Sequence, residues 1–214
     1  MSYRSQQRQP LRYLRLGMSF VFISVVALLG TPTFAQEGRL VREKVHGPAL
    51  ERNLTGESAD RSVSVYLPPS YDSLPSKRYP VVYLFPGMID TDGTWIFSWT
   101  KSGDPWQTVP GVMNLGIAQK RFGEMIIVMP DEKTKWGGSF YTNSTVTGNW
   151  EDFTVKDLVN YIDGKYRTLA RFSSRGIAGH SMGGYGAIKL GMNIRMFTAW
   201  FTESTPRFLV GVVT

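Results

Sequence analysis

Apolar runs and helical patterns alternate along most of this chain. Arg61–Leu67 (RSVSVYL) alternates polar and apolar residues, the period-2 mark of a half-buried strand, and Pro68-Pro69 ends it. Tyr79–Phe85 (YPVVYLF) and Met125–Met129 (MIIVM) are nearly continuous apolar runs closed by Pro86-Gly87 and Pro130-Asp131. Such runs fit strands covered on both faces, as in a parallel sheet. Between them, Val109–Arg121 carries Val112, Leu115 and Ile117 with Pro110 in the first turn, which predicts a helix. Residues 132–149, rich in Gly, Ser, Thr and Asn, read as a long surface loop. Glu151–Tyr166 sets Phe153, Val155, Leu158, Val159 and Ile162 at helical spacing behind first-turn acids. Arg175–Ala178 is a short strand that runs into a small-residue helix, Ser181–Met192. Strands alternating with helices predict βαβ units in a mostly parallel, three-layer α/β sheet.

The first 35 residues follow another pattern. They hold four arginines (Arg4, Arg8, Arg12, Arg15) and no acid, then an apolar run, Leu16–Gly30, shorter than the roughly 20 residues a bilayer span needs. Thr33 and Ala35 place small residues at −3 and −1, which predicts a secretory signal cleaved after Ala35 and a secreted or periplasmic chain free of the membrane. Residues 36–60 are polar, without clear period, and read as a lead-in to a domain over 61–214. The net charge of +7 falls to +3 without the four leader arginines, and no Lys/Arg stripe remains, so nucleic acid is not an expected partner. A composition with 42% hydrophobic and 19% charged residues supports a packed core. No cysteine and only two histidines, His46 and His180, exclude a disulfide scaffold, thiolate zinc sites, a cysteine nucleophile and an HExxH box. No metal or cofactor is expected.

Gly179-His180-Ser181-Met182-Gly183 matches the G-x-S-x-G nucleophile elbow. An apolar strand leads into it and a helix leads out. Glycines on either side remove the Cβ atoms that would clash in so sharp a turn. The turn lifts the Ser181 hydroxyl above the sheet and aims the following N–H groups at an incoming oxyanion, beside a helix N-terminus. A glycine-rich turn used only for packing is the plainer alternative, and no Lys-Ser/Thr pair supports a phosphate cradle. Asp90-Thr-Asp92-Gly93 lacks the later ligands of a calcium loop. Glu151 and Asp152 read as ordinary first-turn acids, and Trp95, Trp99, Trp106, Trp136 and Trp150 as packing residues in preference to an aromatic or sugar site. Asn53-Leu-Thr55 and Asn143-Ser-Thr145 match the glycosylation sequon.

Five segments then occur in a telling order: Val63-Ser-Val-Tyr-Leu-Pro-Pro-Ser-Tyr71, Tyr79-Pro-Val-Val-Tyr-Leu84, Pro130-Asp131, Trp150-Glu-Asp-Phe153 and Gly179-His-Ser-Met-Gly-Gly184. From about Val63 to Met192 the chain resembles the esterase family of α/β-hydrolases that includes S-formylglutathione hydrolases, feruloyl esterases and antigen 85-type acyltransferases. The resemblance implies hydrolysis of small carboxylic esters through an acyl-serine at Ser181, without cofactor, and one oxyanion donor at the main-chain N–H of Met182. The second donor maps to the N–H of Met88, in Pro86-Gly87-Met88, where the family reads His-Gly.

One departure is larger. The family order is serine, then acid, then histidine, yet the residues after Ser181 hold no histidine and a single acid, Glu203. His180 adjoins the serine, and His46 lies in the lead-in. Arg195–Thr214 starts like a further strand and then loses the family pattern. The expectation is a hydrolase domain lacking its C-terminal strands, through an early stop or a frameshift, and therefore weakly active or inactive. Its elbow strand would form an edge or be covered by Met196–Thr202 alone, which predicts poor stability. Two rival readings are a non-catalytic binding protein that keeps the fold and a non-functional gene product. Nothing in the sequence specifies an oligomeric state.

Overall fold

The computed structural model describes residues 36–97, 107–193, 198–201 and 210–212. The predicted signal segment, Trp99, Trp106 and Glu203 lie outside the described residues.

The two long apolar runs form the middle of the sheet. Strands β3 (Val81–Phe85) and β4 (Ile126–Pro130) pair in parallel, Val82 against Ile127, and β4 is buried along its whole length. Strand β2 (Asp60–Leu67) runs antiparallel to β4. Its alternation predicts one wet face, but both faces are buried. Val63, Val65 and Leu67 join one apolar cluster, while Ser64 and Tyr66 face a layer that satisfies them: Ser64 donates to Asp92 (2.8 Å) and Tyr66 to Asn114 (2.7 Å). Polar alternation here marks a hydrogen-bonded interior, not solvent.

Strand β1 (Arg39–His46) pairs antiparallel with β2 inside what the sequence reads as an aperiodic lead-in. Its inward row is Val41, Glu43 and Val45, and the charged middle member breaks the apolar period. Glu43 is at home there because Tyr161 (3.0 Å), Tyr166 (2.6 Å) and Lys165 (2.7 Å) all donate to its carboxylate. Hydrogen bonding has replaced hydrophobicity as the anchor of this strand.

Helix α1 (Val109–Ala118) starts at Thr108, whose hydroxyl accepts from the Gly111 N–H (3.2 Å), and packs on the face of the sheet that carries Leu84, Ile127 and Met129. The loop between β4 and the next helix contains a two-residue hairpin, β5 (Asn143–Ser144) and β6 (Gly148–Asn149). Helix α2 (residues 150–165) covers the opposite face with Phe153, Leu158, Val159 and Ile162. It is not uniform: an α turn at Trp150–Asp152 widens into a π turn at Phe153–Asp157 and returns to α at Leu158–Lys165. Strand β7 (Arg175–Gly179) pairs in parallel with β3 and feeds helix α3 (Met182–Asn193).

The order across the sheet is β1-β2-β4-β3-β7-β8-β9. Strand β8 (Thr198–Phe201) continues β7 in parallel, as the Met196–Thr202 run suggests. Strand β9 (Val210–Val212), unforeseen in the sequence, pairs antiparallel with Ala178 and Gly179 of β7 and also with β8. Among the described residues no helix is long and apolar enough to cross a membrane.

Candidate active site

Main-chain contacts build the elbow. A Cβ placed on Gly179 would lie 2.3 Å from the carbonyl of Gly183, and one placed on Gly183 would lie 2.2 Å from the carbonyl oxygen of Phe85. No side chain fits at either point, so the turn closes backbone to backbone and presses α3 onto the end of β3. Between the two glycines Ser181 is held at φ +53°, a left-handed conformation that few non-glycine residues adopt. The serine is exposed, at the N-terminus of α3, and the Gly183 N–H closes the turn on the His180 carbonyl (2.8 Å). Among the described residues the N–H of Met182 has no acceptor.

The strip after β3 lies against this turn. A side-chain carbon on Gly87 would stand 3.4 Å from Ser181 Cβ. Gly87 donates to the Asp90 carboxylate (3.2 Å), and Ile89 donates to the Gly137 carbonyl (2.7 Å). Met88, between them, has an N–H without an acceptor among the described residues. Ile89 is at φ +68°, strained for a β-branched residue. The side chains of Met88 and Met182 both pack on Gly137-Gly138. Ser181, Met182 and Met88 are therefore neighbours.

The other predicted features separate from this cluster. His180 stacks edge-on against Trp95, with ring centroids 6.3 Å apart, and its main-chain N–H donates to Phe85 (3.2 Å). His46 is bound by Asp60 (2.8 Å) and Glu51 (2.9 Å) at the end of β1, and its pKa is raised by those hydrogen bonds, first Asp60 and then Glu51. Four strand spacings, roughly 19 Å, separate β1 from β7. Neither histidine stands between an acid and Ser181. Asp92 of the calcium-like stretch is buried and its two oxygens are taken by Arg42 (2.7 Å) and Ser64 (2.8 Å). Among the described residues no group of three His, Asp or Glu side chains is placed to hold a metal. Glu151 pairs with Lys189 (2.7 Å) and Asp152 with Lys156 (2.9 Å). Trp150 is a core residue and Trp95 a packing one, whereas Trp136 is 61% exposed. The Asn53 amide is fully engaged, donating to Leu50 and Glu57 and accepting from Glu57 and Thr55, so that sequon is built into a turn.

Sequence reading misses the far wall of the site, the segment from Glu132 to Tyr141. Its glycines and polar residues read as surface, but the Tyr141 hydroxyl is buried and donates to the Pro86 carbonyl (3.0 Å), and its ring stacks on Phe85 at 4.6 Å. Phe140 and Tyr141 are both left-handed, at φ +51° and +50°. An aromatic pair, Phe140 and Tyr185 with centroids 6.3 Å apart, closes the rim. An apolar cavity of about 360 Å³ is lined by Leu84, Trp95, Val112 and Met113 beside α1.

A strained serine at a strand-to-helix turn, on the carboxyl edge of the parallel strands β4, β3 and β7 at the centre of a mixed sheet, defines the α/β-hydrolase class. Residues 57–197 match the family described as "Putative esterase". The chain belongs to this esterase family. It is 37% identical over 134 residues to an esterase of Mycobacterium tuberculosis, covering 59% of this chain and 25% of that one. It is 30% identical over 135 residues to the S-formylglutathione hydrolase of Arabidopsis thaliana, covering 59% and 45%. A solved ferulic acid esterase superposes with a TM-score of 0.63 at 29% identity, covering 76% of this chain and 58% of its own. The chain thus spans a quarter to somewhat under half the length of these curated relatives.

Proposed function

We propose that this domain hydrolyses small carboxylic esters through an acyl-serine at Ser181, with the oxyanion held by the N–H groups of Met182 and Met88. The observation that carries the reading is the left-handed Ser181 between two glycines that tolerate no Cβ, near the N–H groups of Met182 and Met88, which have no acceptor among the described residues. Ser181 Oγ attacks the ester carbon while its proton passes to a base. The carbonyl oxygen takes the negative charge, and collapse expels the alcohol. Water then cleaves the acyl group by the same route in reverse. The basic and apolar pattern of residues 1–35 supports export of the chain, with cleavage after Ala35.

These 214 residues hold no histidine suited to be the base. His46 is bound to two carboxylates across the sheet, and His180 faces Trp95. Serine hydrolases without their base lose about 10⁶ in kcat, roughly 8 kcal/mol. Turnover of p-nitrophenyl acetate by this chain alone should therefore stay near background, and a fluorophosphonate probe should label it negligibly. The hole is tested without the base: phenylboronic acid should form a tetrahedral adduct seen by boron NMR, lost in Ser181→Ala. No adduct refutes the site, and probe labelling at an intact esterase's rate refutes the missing base. The missing base also favours a second reading, a binding protein on the same scaffold, which binds esters reversibly without any adduct.

A further inference from the structure

Glu132 follows Asp131 off the end of β4 and is completely buried. Two oxygen–oxygen contacts bind its carboxyl group, and a third extends the chain. Ser139 Oγ lies 2.6 Å from Oε2, and Thr154 Oγ1 lies 2.9 Å from Oε1. Thr154 Oγ1 is also 2.8 Å from the carbonyl oxygen of Trp150. Each contact at such a distance needs a proton between its oxygens. Ser139 supplies one, its Oγ accepting in turn from the Tyr141 N–H (3.0 Å). The Thr154 hydroxyl supplies one for its two contacts, and the Trp150 carbonyl can only accept. In the neutral form the carboxyl group supplies the third proton, Oε1–H donating to Thr154 and Thr154 to Trp150, whereas an ionised Glu132 leaves the single Thr154 hydroxyl proton to be shared between its two contacts.

The charges around Glu132 agree with a neutral acid. Burial pushes its pKa up to about 7, over the opposing hydrogen bonds of Ser139 and Thr154 and the charge of Arg61, with Asp131 adding to the rise. Arg61, facing it from β2, is engaged by the Asp131 carboxylate (3.1 Å), by the carbonyls of Lys133 (2.6 Å) and Asp131 (3.3 Å), and by the Trp150 ring. Tyr141 packs nearby with its phenol raised well above the ordinary value by burial, and so stays neutral.

The segment closed by this acid is the one that holds the strip around Met88. The Ser139 N–H bonds the Glu132 carbonyl (3.0 Å). Within the closed stretch the Gly137 carbonyl takes the Ile89 N–H, and Tyr141 fixes the Pro86 carbonyl. Both flanks of Met88 are tied to it. We propose that Glu132 is a positioning residue that works as a neutral acid, its proton latching residues 132–141 so that they fix the Met88 N–H beside Ser181. The proposal rests on the assignment of that N–H to the oxyanion hole. Ionisation strips the proton from one of the Thr154 contacts and loosens the wall.

Amide hydrogen exchange of the full chain, corrected for intrinsic rates, tests the latch without any turnover. Between pH 5.5 and 8, protection of the Ile89 N–H should fall about tenfold further than that of Val128 in β4, which follows only the global decline in stability. Glu132→Gln should keep Ile89 protected at both pH values, because its amide donates to Thr154 and accepts from Ser139 as the neutral acid does. Glu132→Ala should lose the protection at both. Should the alanine variant not fold, Thr154→Val removes the acceptor of the acid proton and should lower Ile89 protection at pH 5.5. Ile89 protection independent of pH in the wild type, or a glutamine variant as open as alanine, overturns the latch. The boronate adduct reports separately on the hole: a working latch without an adduct removes the hydrolase reading alone, and an adduct without pH-dependent exchange removes the latch alone.

Discussion

Ser181 is kept in a conformation that costs a non-glycine residue on the order of 1–2 kcal/mol. Its hydroxyl gains nothing for the fold in return, since the side chain faces solvent. Ser181→Gly should therefore raise stability by about 1 kcal/mol in urea denaturation, whereas Ser181→Ala keeps the strain and should leave stability within about 0.5 kcal/mol. Equal effects of the two variants would show that the strain is not stored at this residue. Gly183 behaves in the opposite sense. A methyl group there meets the Phe85 carbonyl oxygen at 2.2 Å, with backbone on both sides of the clash, so Gly183→Ala should cost at least about 3 kcal/mol. A cost under about 1 kcal/mol, measured the same way, would mean that α3 slides freely on β3.

At the scale of elements, β1 is tied to the end of α2 through Glu43. Burial alone would raise the Glu43 pKa, but hydrogen bonds from Lys165, Tyr166 and Tyr161 outweigh it and hold the carboxyl below its usual range. Removing the carboxylate in Glu43→Ala strands two tyrosine hydroxyls and should cost about 2 kcal/mol, with exchange in β1 rising ahead of β4. A uniform rise across the sheet would contradict a local anchor. The same dependence explains why β1 is absent from the sequence pattern: its inward row is Val-Glu-Val, and no period marks a charge satisfied by Tyr161, Lys165 and Tyr166 at the far end of α2. Strands β3 and β4 were legible because burial on both faces leaves almost only apolar choices. The elbow was legible because two backbone contacts demand glycine at fixed spacing. The wall from Glu132 to Tyr141 was not, since its interior bonds use serine, threonine and glycine, the residues of any surface loop. Helix α2 reads as one helix for a related reason. Its π turn, which carries Thr154, changes the hydrogen-bond step without changing the apolar residues.

Across the whole molecule the titrating groups pull stability in opposite directions. Glu132 has a folded pKa of about 7 against an unfolded value near 4.5, so its contribution is complete below 4.5 and lost as pH rises through 7. His46, raised above 6.5, contributes below that value and loses its contribution as pH climbs through its folded pKa. Glu43 and Glu124 are lowered: burial raises each, but Lys165 with its two tyrosines in one case, and Lys77 with Ser70 in the other, prevail. Their contributions are present above about 4.5 and vanish as pH falls through the folded values. Stability should peak at about pH 5 and decline toward pH 8, as read from urea midpoints at pH 4, 5, 7 and 8. Glu132→Gln should remove most of the decline above pH 5. A wild-type midpoint that rises from pH 5 to 8 would mean that Glu132 is ionised in the fold.

The contact of Gly183 with the end of β3 also bears on how such a chain changes over generations. The spacing between the serine and the strip that faces it is set by main chain touching main chain, and main chain is common to every sequence that keeps the two glycines. Side chains on either side are then free to differ without altering that spacing. Selection on what the pocket receives and selection on how its reacting atoms are spaced act on separate residues. One can wander while the other stands still.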